Sequence, residues 1–562
     1  MSQIIFFSLL TVGMLVPDHI PPWQAFHNEA PVFVGLIFAT IASLFSKQVV
    51  RIRWVGMGIS MFFTAIALLQ WRFGLLPVGG DAFLLVMYSL GFGLAWSLGF
   101  NWKANEGAAR LTAMAITFAF VACVSSFIAL IQSTGLDMDL APWVTSVGDS
   151  GRAIGNIGQP NQLATLLLMG VIATWILYQQ AKLGGATTIL LIAVMSMGMV
   201  LSQSRTVLLS ALCLPVALYL IPQRMRARFS KRPVWIWLGA LLFMAISYRY
   251  VGNVVVLNTG TSGNMAREVV TTGTRPLMWT QLVAGLSQSP WWGYGFLQTA
   301  TAQQHGAMLV PGIEQTNYSH NLVLDLLVWC GVPVGVFVTW VGSCWIVRRW
   351  RNAADEQTVF ALLWLLPFAI HSLLEFPFAY AYFLFPVGLL IGGIDRQSSA
   401  DGPSPTEQSV ALQKRAFAGV VVCFLSLVTF AGWEYLRVEQ DFNIARFENR
   451  RVGRTPEGYE PPNFTILSHF SVVLHAMRLR AKPGMSSEEL EVLRLACQRF
   501  SWAALHMRYS TALALNGEPR KARDQMLLMR NLFGPVAYQE AKDALLSLQQ
   551  QTYPELNQVI LP

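Results

Sequence analysis

The chain has 562 residues, 54% of them hydrophobic and only 12% charged, with a formal net charge of +9 and a mean hydropathy of +0.47. These values exclude an ordinary soluble globular protein and identify an integral membrane protein with room for roughly a dozen spans of about 20 residues. The positive charge does not indicate nucleic acid, because the basic residues cluster in short loops between apolar runs, as in membrane proteins generally. The scattered cysteines Cys123, Cys213, Cys330, Cys344, Cys423 and Cys497 suit neither a disulfide framework nor a zinc site.

In chain order, apolar segments fall at residues 4–16, 31–46, 54–70, 82–100, 110–131, 161–178, 186–202, 206–221, 234–250, 320–346, 358–374, 377–394 and 416–434, about thirteen spans. The first has no Lys or Arg before it and no small-residue cleavage pattern after it, so it reads as a retained span rather than a signal peptide. Lys47, Arg51 and Arg53, Lys103 and Arg110, Lys182, the run Arg224 to Arg232, Arg348 to Arg351, and Arg396 to Arg415 occupy alternate loops, which makes those loops cytoplasmic. The other face then receives the loops 18–30 and 132–160, the turn at Ser202 to Arg205, a polar stretch at 251–319, the turn at 371–377 and the C-terminal tail.

After Trp433 the composition becomes charged and no run is long enough to span. The reading is therefore an all-α polytopic membrane protein, with a transmembrane domain at 1–434 that includes a long periplasmic loop at 251–319 and a soluble helical domain at 435–562. Within the tail, Trp502 to Leu515 and Pro519 to Phe533 form two amphipathic patterns joined by Asn516-Gly517-Glu518, and Glu488 to Phe500 supplies a preceding helix. The pair resembles a tetratricopeptide hairpin, with a plain helical domain as the alternative. Pro403 and Pro405 mark a flexible cytoplasmic linker.

The residues able to carry chemistry gather on the outer face. Arg205 stands between two apolar runs, where an arginine costs about 2.5 kcal/mol or more unless it is paired or reaches the interface. Arg275 precedes Pro276, which starts a helix to about Ser287 with Leu277, Leu282, Val283 and Leu286 as its apolar face and Trp291-Trp292 as interfacial anchors. His320 and Asn321 open the tenth span, with Asp325 one turn further on, and His371 and Glu375 stand one turn apart before Pro377. Either pair can act directly or hold helices together. The stretch Gly155-Asn-Ile-Gly-Gln-Pro-Asn-Gln162 offers amides, Gln159, Asn161 and Gln162 among them, suited to sugar hydroxyls or phosphate oxygens and also to helix caps. Asp137-Met-Asp139, and Asp18-His19 with Glu29, have metal-like spacing but are commonplace in polar loops, and no nucleotide-binding glycine motif occurs.

An outer-face site with no nucleotide grip needs a substrate that brings its own energy. A lipid-linked pyrophosphate meets that need, because arginine forks match phosphate oxygens and neutralise a leaving pyrophosphate. A hydroxyl acceptor needs a base, and His320 is the natural one. The motifs Gly155 to Gln162, Ser202-Gln-Ser-Arg-Thr, Thr274-Arg-Pro-Leu-Met-Trp, Trp292-Gly-Tyr-Gly, Ser319-His-Asn, His371-Ser-Leu-Leu-Glu-Phe-Pro and Tyr380-Ala-Tyr-Phe-Leu together resemble the bacterial protein O-oligosaccharyltransferases (PglL-like) of the O-antigen ligase and polymerase superfamily. The resemblance covers residues of about 150 to 395 and extends into the tail.

By this resemblance Arg205 and Arg275 bind the donor pyrophosphate, His320 activates the acceptor hydroxyl, and Gln159, Gln162 and Tyr380 position donor or acceptor. Asn321, Asp325, His371 and Glu375 are supporting residues. The resemblance further implies an undecaprenyl-pyrophosphate glycan donor, Ser or Thr of a pilin-like or other periplasmic protein as acceptor, the bacterial inner membrane, and no metal or other cofactor. An O-antigen ligase acting on lipid A-core and an O-antigen polymerase are the near alternatives. A transporter is the alternative from another class, although the polar groups crowd to one face rather than to the bilayer midplane.

Overall fold

A computed structural model describes residues 2–45, 51–101, 104–147, 151–226, 228–259, 273–397, 409–411, 414–450, 452, 455, 458–559 and 561. Each apolar segment is a helix. The helices are α1 (Ser2–Leu15), α2 (Phe26–Leu44), α3 (Trp54–Arg72), α4 (Gly79–Phe100), α5 (Ala104–Ser133), α6 (Pro160–Gln179), α7 (Gly185–Ser202), α8 (Arg205–Leu220), the single turn α9 (Gln223–Arg226), α10 (Arg232–Thr259), α11 (Arg275–Leu286), α12 (Thr299–Ala307), α13 (Leu322–Arg351), α14 (Glu356–Ser372), α15 (Ala381–Gln397), α16 (Lys414–Asn449), α17 (Ser468–Arg478), α18 (Ser487–Phe500), α19 (Ala503–Leu515) and α20 (Pro519–Gln551). Among the described residues 8 helices, α2 to α7, α13 and α16, are long and apolar enough to cross a membrane, and α1, α8 and part of α10 are shorter apolar helices. The remaining expected spans coincide with α14 and α15, of 17 residues each.

The exception to an all-helical chain is a ribbon of β1 (Arg51–Arg53) and β2 (Ser409–Ala411), antiparallel with Ile52 opposite Val410. It brings the loop after α2 and the segment before α16 to one side, as alternating orientation requires. The linker around Pro403 and Pro405 lies outside the described residues.

The chain divides into two compact units, one formed by Met1–Phe62, Tyr88–Thr271 and Gly342–Ser426, the other by Phe63–Met87, Thr272–Val341 and Leu427–Pro562. In the first, α6 is the central helix. It is buried along most of its length, and α5, α7, α8 and α14 pack about it. Gly170 admits Ala122 and Met195, and Gly198 admits Leu167 and Ser126, close enough that an added methyl would clash. Small residues let backbones approach in this way where apolar packing alone gives little preference over lipid. At the other end of the unit Asp395 is buried with Arg349 at 2.7 Å and accepts from Trp345 and Trp96, which satisfies an acid carried on a span.

Two sequence boundaries move. The composition change after Trp433 falls inside α16, which continues as one helix to Asn449, because a polar residue does not end a backbone ladder unless something caps it. Of the stretch at 251–319, residues 251–259 continue α10, residues 260–272 lie outside those described, and the rest folds into α11 and α12. Helix α11 begins at Arg275 as Pro276 predicts, but its buried face is Met278, Gln281, Leu282, Gly285 and Leu286. Leu277 and Val283 of the expected apolar face are exposed, while the buried face meets α12, where Gly285 and Gly306 allow backbone contact with Ala302 and Gln281. Trp291 and Trp292 are exposed at 70% and 73%, as interfacial anchors are.

The tail follows its sequence signals. Ser486 and Glu489 form a capping box on α18, Gly517 makes the left-handed turn between α19 and α20, and Gly534 at φ 81° interrupts α20 just after Phe533.

Candidate active site

The expected site residues fall into two groups, one in each unit. In the first unit the loop before α6 is built by side chains reaching backbone. Gln132 Oε1 accepts from the amides of Ile154 and Gly155 at 3.0 and 2.9 Å, and Asn156 Nδ2 donates to the carbonyls of Leu15 and Trp143. Gln159 is the N-cap of α6, its side chain accepting from the Gln162 amide at 2.7 Å. Gln162 in turn accepts from the Tyr382 hydroxyl at 2.6 Å, and the Tyr380 ring is stacked between those of Phe376 and Tyr382.

Asn161 joins three chain segments. Its Nδ2 donates to Glu375 Oε1 at 2.8 Å and its Oδ1 accepts from Ser204 Oγ at 2.8 Å. One turn along α6, Thr165 Oγ1 lies 2.9 Å from His371 Nδ1. Asn161 and Thr165 are thus one turn apart on α6 and face Glu375 and His371, themselves one turn apart at the end of α14. Both His371 and Glu375 are buried, and each has a side-chain partner on α6. Ser204 carries the connection to Arg205, the first residue of α8.

Arg205 lines a small pocket with Gln203, Ser204, Leu208, Leu241, Ala245 and Tyr248. A guanidinium beside both polar and apolar walls can hold an anion whose remainder is a lipid. Arg152, not among the residues selected from spacing, donates from Nε to the Ser202 carbonyl at 3.0 Å and adds a second arginine to the same turn.

In the second unit the group centres on His320. This residue is in the left-handed region at φ 57°, a conformation uncommon for a residue with a Cβ. The surrounding chain holds it there. Trp279 Nε1, on α11, donates to the Ser319 carbonyl at 2.7 Å. The Ser319 amide donates to Asp325 Oδ1 at 2.8 Å, and Asp325 Oδ1 also accepts from Thr299 Oγ1 at 3.1 Å. Asn321 is the N-cap of α13, accepting from the amides of Val323 and Leu324. Arg275 starts the helix that carries Trp279, and the neighbouring Thr274 hydroxyl bonds to Glu314. The helix that presents one candidate phosphate ligand therefore also pins the loop of the candidate base.

The metal-like spacings have structural uses. Asp137 is buried and accepts from the Val147 amide at 3.1 Å. Glu29 accepts from Trp23, from the Tyr88 hydroxyl and, at 2.7 Å, from the Ala381 amide, so it fixes the segment carrying Tyr380 and Tyr382. Sequence reasoning had set Glu29 beside Asp18 and missed this role, since its partner is 352 residues away.

Comparison with known proteins bears on what these groups do. Residues 153–178 match the family described as protein glycosylation ligase, residues 188–339 the family described as O-antigen ligase, and residues 359–547 the family described as virulence factor membrane-bound polymerase, C-terminal. The chain is 28% identical over 537 residues to a general O-oligosaccharyltransferase of Acinetobacter baylyi, covering 93% of this chain and 91% of that protein. It is 27% identical over 399 residues to a ComP-specific O-oligosaccharyltransferase of the same organism, covering 69% of each. The first of these matches begins with the Gly155 to Gln162 loop, the second contains Arg205, Arg275 and His320, and the third contains His371, Glu375 and most of the tail. Three family matches in succession, with similarity to one relative over nearly the whole of both chains, make the chain similar to O-antigen ligases and protein glycosylation ligases.

Proposed function

We propose that the protein is an O-oligosaccharyltransferase of the bacterial inner membrane, which moves a glycan en bloc from undecaprenyl pyrophosphate to a Ser or Thr hydroxyl of a pilin-like or other periplasmic protein. The observation that carries this reading is the likeness to a general O-oligosaccharyltransferase along 93% of the chain, tail included. In the proposed step the acceptor oxygen attacks the anomeric carbon, the bond from that carbon to the pyrophosphate oxygen breaks, and His320 takes the hydroxyl proton. Arg205 and Arg275 bind the pyrophosphate and neutralise the charge that grows on it as it leaves. The step calls on no cofactor.

Gln159, Asn161, Gln162 and Tyr380 act in this reading by shaping the entrance of α6 rather than by contributing a proton. His371 and Glu375 hold α14 against α6, and Asn321 and Asp325 hold the loop of His320. An O-antigen ligase is the second reading, favoured by the match of residues 188–339 to that family. Expression in a strain that supplies the lipid-linked glycan, with a pilin-like protein present, separates the two. Intact-mass analysis is expected to show the acceptor protein heavier by one whole glycan. Glycan on lipid A-core with the protein unmodified would replace this reading with the ligase.

A further inference from the structure

Helix α12 has the sequence Thr-Ala-Thr-Ala-Gln-Gln-His-Gly-Ala, and seven of its nine residues, Thr299, Ala300, Ala302, Gln303, Gln304, Gly306 and Ala307, are buried. A polar helix survives burial only when its side chains are partnered, and the partners here lie in two directions within one compact unit. Toward His320, the Thr299 hydroxyl accepts from Trp329 Nε1 at 2.8 Å and donates to Asp325 Oδ1 at 3.1 Å. The same carboxylate oxygen takes the amide of Ser319, the residue before His320.

Toward the tail, Arg499 at the end of α18 donates from Nε to both oxygens of Asp81, at 2.8 and 2.9 Å. Asp81 is fully buried and also accepts from Nε2 of Gln298, the N-cap of α12, at 3.0 Å. Gln304 Nε2 donates to the Cys497 carbonyl in the last turn of α18 at 2.9 Å. The ion pair therefore sets the start of α12, and the next residue is Thr299.

We infer that Arg499 is a positioning residue for glycosyl transfer: with Asp81 it fixes the N-terminus of α12, and through Thr299 and Asp325 it fixes the backbone that presents His320. This rests on the reading of His320 as the base. It gives the tail a part in turnover, beyond any part in recruiting the acceptor. A left-handed residue needs such an external frame, because its own conformational preference works against it. A displacement of about 1 Å at a reacting group can cost on the order of 100-fold in rate.

The test measures kcat and KM for donor and acceptor with purified full-length protein, a lipid-pyrophosphate glycan and an acceptor protein. Arg499→Ala is expected to lower kcat about 10-fold or more while both KM values stay within about twofold. Thr299→Val, close to isosteric, is expected to do the same and Thr299→Ser to retain most of the rate, so a failure of Arg499→Ala to fold leaves the question decidable. The double variant Arg499→Ala with Thr299→Val should be no slower than the slower single variant, since both cut one string. Arg494→Ala, on the exposed Glu491 pair of the same helix, should match the parent.

A raised acceptor KM with unchanged kcat, effects of the two substitutions that multiply, or Thr299→Ser as slow as Thr299→Val would each overturn the inference. His320→Ala, run in parallel, separates the two readings. Turnover retained by His320→Ala while Arg499→Ala is slow removes the base assignment and shows that Arg499 supports turnover by a route other than His320. Turnover lost by His320→Ala while Arg499→Ala is unimpaired removes the positioning role alone.

Discussion

The surroundings of Asn161 and those of His320 are built on opposite plans. Around Asn161, side chain meets side chain across α6, α14 and the start of α8: Asn161 with Glu375 and Ser204, Thr165 with His371. Around His320, the bonds run to backbone: Trp279 to the Ser319 carbonyl, the Ser319 amide to Asp325, and Asn321 to the first amides of α13. The first plan is what helices in an apolar setting require, since every polar side chain there must find another. The second fixes the loop through the backbone on either side of His320. Replacing His320 should therefore abolish chemistry and leave the fold, whereas replacing Asn161 should loosen both.

The largest effect that bears on this contrast is at His320 itself. His320→Ala is expected to slow transfer by about 100-fold or more, in the range for loss of a general base, with an unchanged thermal midpoint; a falling midpoint would show that the side chain is part of the frame. Next come the arginines. Arg205→Lys and Arg275→Lys keep the charge but lose the planar fork, and each should cost on the order of 100-fold in kcat/KM, read from initial rates at varied donor. If lysine serves as well as arginine, phosphate geometry is not what these positions recognise.

A smaller and mixed effect is expected from Asn161→Ala. It strips a partner from both buried Glu375 and Ser204, at a cost of about 1 to 3 kcal/mol in stability, together with a drop in rate of about 10-fold. Rate loss with full stability would move Asn161 from the frame to the substrate. The smallest effect on activity at neutral pH belongs to the tail histidines. Burial lowers His469 from 6.5 to about 4 and His506 to about 3, so both are neutral in the fold while the unfolded chain takes up protons below about 6.5. Their stability contribution is complete above that pH and is lost as the pH falls toward 4. Thermal scans from pH 7 to pH 4 should show a falling midpoint, less steep in His506→Gln; a flat profile contradicts buried neutral histidines.

Much of the architecture was legible because hydropathy and helix signals are local. Apolar runs became helices, Pro276 began α11, and Gly517 separated two tail helices where expected. What could not be read were partnerships between distant residues. Helix α12 carries no apolar stripe and exists because its glutamines and threonines bond to other segments. Asp81 and Arg499 are 418 residues apart, and Glu29 reads as a loop acid until the Ala381 amide is seen on it. For the candidate site, spacing offered residue types that the charge pattern assigns to one face. Its division into groups bonded through side chains and a histidine held through backbone was not, because spacing reports which residues can share a face and says nothing of which atoms satisfy them.

The central claim is that His320 supplies the base for a hydroxyl acceptor while the arginines hold the donor. The most direct measurement is single-turnover transfer by His320→Ala alongside its affinity for the lipid-pyrophosphate donor. The account predicts donor affinity within about twofold of the parent and a transfer rate lower by about 100-fold or more. Transfer at the parental rate, or loss of donor binding equal to the loss of rate, would contradict it.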